Sequence, residues 1–216
     1  MEEIVFVDKP AGISSFGAVA RVRRIFSEQV GHKVKVGHTG TLDPFATGSL
    51  ILLVGKATKK APLFSKLDKE YEASIHLGVT STTGDPEGEL TIVDQQVSID
   101  CFEIDEVLQS FVGTIQQTPP AFSAIKIDGQ RAYRLARAGK KVDIPTRNVE
   151  IYSIDIIKYE APILKIRTHV SSGTYIRTLV EDIGKKLGCG AYTESLRRTK
   201  IADYDIEKVP LFKLPK

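Results

Sequence analysis

The apolar positions of this chain fall into runs whose periods predict its elements. Leu50 to Val54 is unbroken apolar sequence, too short for an independent helix, and reads as a strand buried on both faces. Tyr71, Ala73, Ile75 and Leu77 alternate with Glu72, Ser74 and His76, the period of a half-buried strand. Ile4 to Val7 alternates weakly and predicts a short strand. Val19, Val22, Ile25 and Phe26 recur near helical spacing over Phe16 to Phe26, with Ser14 or Ser15 as N-cap and the arginines between them facing outward. Ile104, Val107, Leu108 and Phe111 predict a short amphipathic helix ending near Gly113. Val149 to Tyr159 and Ile163 to Val170 read as a hairpin around Glu-Ala-Pro. Tyr175 to Leu187 has the clearest helical stripe, Ile176, Leu179, Val180, Ile183 and Leu187, with Ser172 or Thr174 to cap it and Gly188 to end it. The order strand, helix, strand, strand, helix, hairpin, helix argues a mixed α/β core in one domain.

Between these runs lie turn-rich segments. Asp8-Lys9-Pro10-Ala11-Gly12 breaks the first strand, and Thr80 to Gly88 is a polar loop. Gln117-Thr118-Pro119-Pro120 cannot continue a regular element. Ser123 to Arg147 is basic and loop-like, with a short helix around Arg131 to Ala138. Val36 to Gly55 begins as a polar, glycine-broken loop and ends in the apolar strand.

Composition adds bounds. In 216 residues, 42% are hydrophobic and 26% charged, an ordinary globular balance with room for one sizeable core. No apolar run approaches the roughly 20 residues that cross a bilayer, and the acidic start has no signal-peptide core. Cys101 and Cys189 have no partner spacing, so neither a disulfide framework nor a metal site is expected. The net charge of +3 is small, but its distribution is uneven. Arg21, Arg23, Arg24, Lys33 and Lys35 stand against Glu28 in residues 21–35. Lys126, Arg131, Arg134, Arg137, Lys140, Lys141 and Arg147 stand against Asp128 and Asp143 in residues 123–147. Each segment alone reads as a solvated face; together they suggest a positive face for a polyanion.

Three side chains at element edges carry candidate chemistry. Asp43 lies in the glycine-flanked loop, where an acid before proline is ordinarily a turn residue. Tyr71 opens a strand after Lys69-Glu70. Arg177 falls in the first helical turn after Ser171-Ser172-Gly173-Thr174, where the helix dipole favours acids. It needs an anion, either a carboxylate or an RNA phosphate, unless it simply pairs with Glu181 one turn on.

Gly37-His38-Thr39-Gly40-Thr41-Leu42-Asp43-Pro44-Phe45-Ala46-Thr47-Gly48 resembles the catalytic motif of the TruB family of tRNA pseudouridine synthases. Asp8-Lys9-Pro10-Ala11-Gly12-Ile13-Ser14-Ser15 and Lys69-Glu70-Tyr71 resemble two further motifs of that family. So do Gln117 to Lys126, Gly173 to Leu179, Gly188-Cys189-Gly190-Ala191 and Leu196-Arg197-Arg198, in the expected order. The resemblance covers essentially the whole chain.

The resemblance implies an α/β (α+β) fold of pseudouridine synthase type: a mixed, mainly antiparallel sheet flanked by helices. It further implies one catalytic domain over 1–216 with a basic RNA-binding insertion at about 123–147. Bacterial members usually carry a small C-terminal RNA-binding domain. This chain ends soon after Val209-Pro210-Leu211-Phe212, so a short form without that separate domain is expected. The implied enzyme is an isomerase that converts uridine 55 in the T loop of tRNA to pseudouridine, with no cofactor and no metal. The implied partner is the tRNA T stem-loop, with no membrane, no required protein partner, a monomer as default, and the cytoplasm as compartment.

Site roles follow from the same resemblance. Asp43 is the nucleophile or general base, Arg177 its counter-ion, and Tyr71 stacks on the base and carries proton traffic. His38 takes up the space of the flipped base. Lys126 contacts the RNA backbone, with Thr41, Arg131 and Arg134 also expected on the substrate side. Lys9 is grouped with them as a residue packed against the catalytic loop. Leu179 is expected first in the core and then as an apolar wall beside uracil. Competing readings are a tRNA-folding chaperone, which needs no such carboxylate, and the same chemistry on another RNA stem-loop.

Overall fold

A computed structural model describes residues 1–127, 129–139 and 143–214. Asp128, Lys140 and Lys141 of the basic segment lie outside the described residues. The chain begins with β1 (Glu2–Lys9), α1 (Ser15–Val30), β2 (Val36–His38) and β3 (Thr47–Gly55). A short 3-10 helix at Lys56–Lys60 leads to α2 (Ala61–Ser65), β4 (Lys69–Leu77), β5 (Val79–Ser81), β6 (Leu90–Ile92) and α3 (Cys101–Gln109). There follow β7 (Gly113–Gln117), β8 (Lys126–Ile127), β9 (Gln130–Arg131), α4 (Ala132–Arg137), β10 (Arg147–Glu160) and β11 (Ile163–Val170). The chain closes with α5 (Ile176–Lys186), β12 (Ala191–Ile201) and β13 (Tyr204–Asp205). It divides into two compact units, Met1–Tyr71 with Leu196–Lys216, and Glu72–Ser195.

In the first unit β3 is the buried centre, closed to solvent from Gly48 to Val54 as its apolar run requires. β1 lies antiparallel along one edge, with Val7 opposite Leu50 and Lys9 opposite Gly48. The other edge is shared. β2 pairs antiparallel there, His38 opposite Leu52, and β12 joins in parallel, Arg198 opposite Gly48. His38 therefore stands in a strand, not in the loop that the sequence predicts from Val36 onward. α1 packs Ala18, Val19 and Val22 against Val5, Val7, Leu50, Leu52 and Val54, and Ser14 caps it by accepting from the Gly17 amide at 3.0 Å.

The parallel seam between β3 and β12 is tight. Gly48 has φ +107°, and a Cβ there would lie 2.3 Å from the Arg198 carbonyl oxygen. Only glycine fits both the backbone conformation and the space.

In the second unit the order is β4-β11-β10-β7. β10 is antiparallel to both neighbours, with Asp155 opposite Arg167 on one side and Val149 opposite Ile115 on the other. α3 lies against β10 and α5, which seals Ile104, Leu108, Ile151, Ile154, Leu179 and Ile183 from solvent. Asp100 caps α3 through the Glu103 amide at 2.9 Å. α5 has no side-chain cap; the Thr174 hydroxyl donates instead to the Ser171 carbonyl at 2.9 Å, so neither expected capping residue acts on the helix. Among the described residues no helix is long and apolar enough to cross a membrane.

Candidate active site

Asp43 is half-buried in a loop that is clamped on both sides of it. On the N-terminal side the Ser15 hydroxyl donates to the Leu42 carbonyl at 3.0 Å and accepts from the Leu42 amide at 2.8 Å. On the C-terminal side Pro44 is held by its carbonyl, which accepts from the Gly12 amide at 2.9 Å and from Lys9 Nζ at 3.3 Å. The Lys9 ammonium also donates to the Pro10 and Ile13 carbonyls, both at 2.8 Å. The end of β1, the turn after it and the start of α1 thus hold this loop on both sides of Asp43. Thr41 beside it is exposed and His38 is half-buried.

Lys9 is 0% exposed and donates to the Pro10, Ile13 and Pro44 carbonyls, so it packs against the loop that carries Asp43.

Below the loop the sequence reading missed a buried cation. Arg198 of β12 is 1% exposed. Its Nε donates to the Ser49 carbonyl at 2.7 Å and its Nη2 to the Gly40 carbonyl at 3.2 Å. Its Cζ stands 6.0 Å from the centre of the Tyr71 ring. Tyr71 itself is buried on β4. Two residues before it, Lys69 is buried with its ammonium on the Ser65 and Leu67 carbonyls. Burial first, and the Arg198 charge second, lower the Lys69 pKa to about 8.

The second unit holds Arg177, the second residue of α5. Its guanidinium is buried against Asp85, with Nη1 3.1 Å from Oδ2. Nη1 also donates to the Thr83 carbonyl at 2.7 Å and Nη2 to the Phe122 carbonyl at 2.9 Å. Asp85 is organised in turn: its Oδ1 accepts from the Thr83 hydroxyl at 2.6 Å and from the Glu87 amide at 3.0 Å. An anion does offset the arginine at this helix start, and Asp85 supplies it; the polar Thr80–Gly88 loop gave no sign of that beyond one aspartate. Glu181 packs close to Gly84, and its burial raises the carboxyl pKa. Gln117 fixes the residue before the helix: its Nε2 donates to the Tyr175 carbonyl at 3.0 Å, and its Oε1 accepts from the Tyr175 amide at 2.7 Å.

Leu179 lies on the apolar stripe of α5 and is 0% exposed, a core position. Lys126, Arg131 and Arg134 do come together: with Gly129, Gln130 and Tyr133 they line one open cleft around the β8–β9 hairpin. Arg134 and Arg137 sit 6.0 Å and 5.9 Å from the Tyr133 ring centre, and the Arg131 guanidinium donates to the Ala124 carbonyl.

Two family models match the chain. Residues 23–176 match the TruB family pseudouridylate synthase N-terminal domain, and residues 177–215 match the tRNA pseudouridylate synthase B C-terminal domain. A tRNA pseudouridine synthase B of Azoarcus sp. (strain BH72) is 43% identical over 205 residues, covering 95% of this chain and 66% of the relative. One from Parabacteroides distasonis is 43% identical over 206 residues, covering 95% of this chain and 88% of the relative. The chain spans just under two thirds of the length of several such relatives, 64% in the Pseudomonas aeruginosa protein. Among solved structures, a chain of a Cbf5-Nop10-Gar1 complex matches with TM-score 0.69 and 30% identity, covering 94% of this chain and 49% of that one. A chain from an H/ACA RNP bound to a substrate RNA containing 2'-deoxyuridine matches with TM-score 0.66 and 27% identity, covering 94% of this chain and 48% of that one. The chain belongs to the TruB family of pseudouridylate synthases.

Proposed function

We propose that this protein isomerises uridine to pseudouridine in the T loop of tRNA, at position 55, and that Asp43 is the reacting carboxylate. The observation that carries the reading is the double clamp on Leu42 and Pro44. A turn residue needs no such support, whereas a reacting group must be held close to its productive geometry. The reaction breaks the bond between ribose and uracil N1, turns the base and forms the bond to C5; C5 then gives up its proton and N1 takes one up, directly or by way of solvent. Asp43 acts as nucleophile or general base in that exchange. Tyr71 stacks on the base, and Arg177 is the counter-ion that keeps Asp43 ionised. A guanidinium carries five donors, which allows a second carboxylate besides Asp85.

The flipped-out uridine costs a few kcal/mol to extrude. His38 and Thr41, at the loop, are assigned to the RNA beside it. The exposed cleft of Lys126, Arg131 and Arg134 takes the phosphate backbone. The cytoplasm is the compartment that such a substrate implies, with the protein acting as a monomer.

The test is conversion of a T-arm hairpin by the purified chain and by Asp43→Asn, with RNA affinity measured alongside. Wild-type conversion that disappears in the Asn variant, with affinity retained, is expected. An Asn variant that converts at the wild-type rate sinks the assignment. Wild-type protein that binds and refolds tRNA without converting it would leave the chaperone reading in its place.

A further inference from the structure

We infer that Arg198 is a positioning residue for this reaction, setting the Asp43 loop and the Tyr71 ring relative to each other; the inference rests on the proposed function. One guanidinium meets three parts of the site. It donates to Gly40 on one side of Asp43 and to Ser49 on the other, and its carbon lies 6.0 Å from the Tyr71 ring centre.

The energetics argue against a purely architectural role. Removing a cation from water costs several kcal/mol. Among the described residues no carboxylate pairs with Arg198; its partners are two carbonyls and a ring face. A second buried cation, Lys69, adds repulsion, since the Arg198 charge contributes to the lowered lysine pKa. An apolar side chain of similar size would avoid that desolvation cost, at the expense of the donor that Gly40 and Ser49 now have. What it would lack is directional hold on two carbonyls and a cation over the ring.

The seam at Gly48 gives the arginine its precision. β12 passes β3 so closely that a Cβ at residue 48 would meet the Arg198 backbone at 2.3 Å. The guanidinium therefore starts from a fixed origin directly under the loop.

Arg198→Met and Arg198→Lys of the full chain test the inference by turnover on the T-arm hairpin, RNA dissociation constant, melting temperature, and amide exchange of residues 38–47. Arg198→Met is expected to lower kcat by about 100-fold, the usual penalty for a misplaced reacting group. Its dissociation constant should stay near the wild-type value, its melting temperature should fall by no more than the loss of two hydrogen bonds entails, and exchange of the loop amides should rise. Arg198→Lys, which keeps the charge but reaches fewer acceptors, should recover part of the rate. Wild-type turnover in Arg198→Met, or losses of turnover, binding and melting in step, would overturn the inference. Unchanged loop exchange in both variants would overturn it even if the wild-type protein proved to convert no uridine.

Discussion

Ser15 grips Leu42 through a single hydroxyl that both donates to and accepts from its backbone, at 3.0 Å and 2.8 Å. The two residues are 27 positions apart, so the start of α1 fixes the backbone directly before Asp43. Ser15→Ala would leave a buried amide and a buried carbonyl without their partner. The expected loss is about 1–3 kcal/mol of stability, read by chemical denaturation, with turnover falling further than RNA affinity.

Asp85 neutralises Arg177 where both are almost fully closed to solvent. Asp85→Ala leaves a buried guanidinium without this carboxylate and should cost about 3–5 kcal/mol. Asp85→Asn keeps the acceptor oxygen and should lose less. Denaturation of the two variants side by side separates the charge from the hydrogen bond.

Lys69 makes stability depend on alkaline pH. Its folded pKa is near 8 against 10.5 in a free chain. Between those values the unfolded chain holds more protons than the folded one, so stability rises with pH. The penalty for burying the charged ammonium is thus present in full below pH 8 and relieved toward pH 10.5, a gain of at most about 3 kcal/mol. Lys69→Met should lack this rise, which shows as a pH-dependent difference between the two proteins in denaturant titrations.

The cleft around β8 and β9 should bind phosphates without reading bases. Lys126→Ala and Arg131→Ala are each expected to weaken hairpin binding and to flatten the plot of log affinity against log salt by about one unit. Turnover at saturating RNA should be unchanged, which assigns these residues to holding the RNA and not to the chemistry.

Much of this architecture can be read from local pattern. β3, β4, the β10–β11 hairpin and α5 follow directly from apolar runs and alternation, because their buried faces carry apolar side chains. β12 has no such signal. Its sequence Ala-Tyr-Thr-Glu-Ser-Leu-Arg-Arg-Thr-Lys-Ile places Thr193 and Arg198 at buried positions, where a reader of hydropathy expects solvent. The short β2 was hidden in the same way, in a glycine-rich stretch whose pairing comes from β3 and not from its own propensity.

The site divides along the same line. Asp43, Tyr71 and Arg177 stood out because each sits at an element edge within a family motif. The side chains that hold the loop did not, because their partners are remote. Arg198 reaches Gly40 across 158 residues, and Ser15 reaches Leu42 across 27. Lys9 and Leu179 both lie buried, which their motifs do not tell. A motif names neighbours in sequence; it carries no information on which of them face water.

Gly48 has a consequence for how this protein could change. Because a side chain there would strike the Arg198 carbonyl, the spacing between Asp43 and the β3–β12 seam is written in bare backbone. No larger residue can be traded in and later compensated by a neighbour's side chain. With Gly48 fixed at the seam, inserting or deleting one residue between Asp43 and Gly48 would leave the β3 side chains on their faces and move Asp43 away from its place. The length of this short connection, more than any side chain in it, sets where the carboxylate stands.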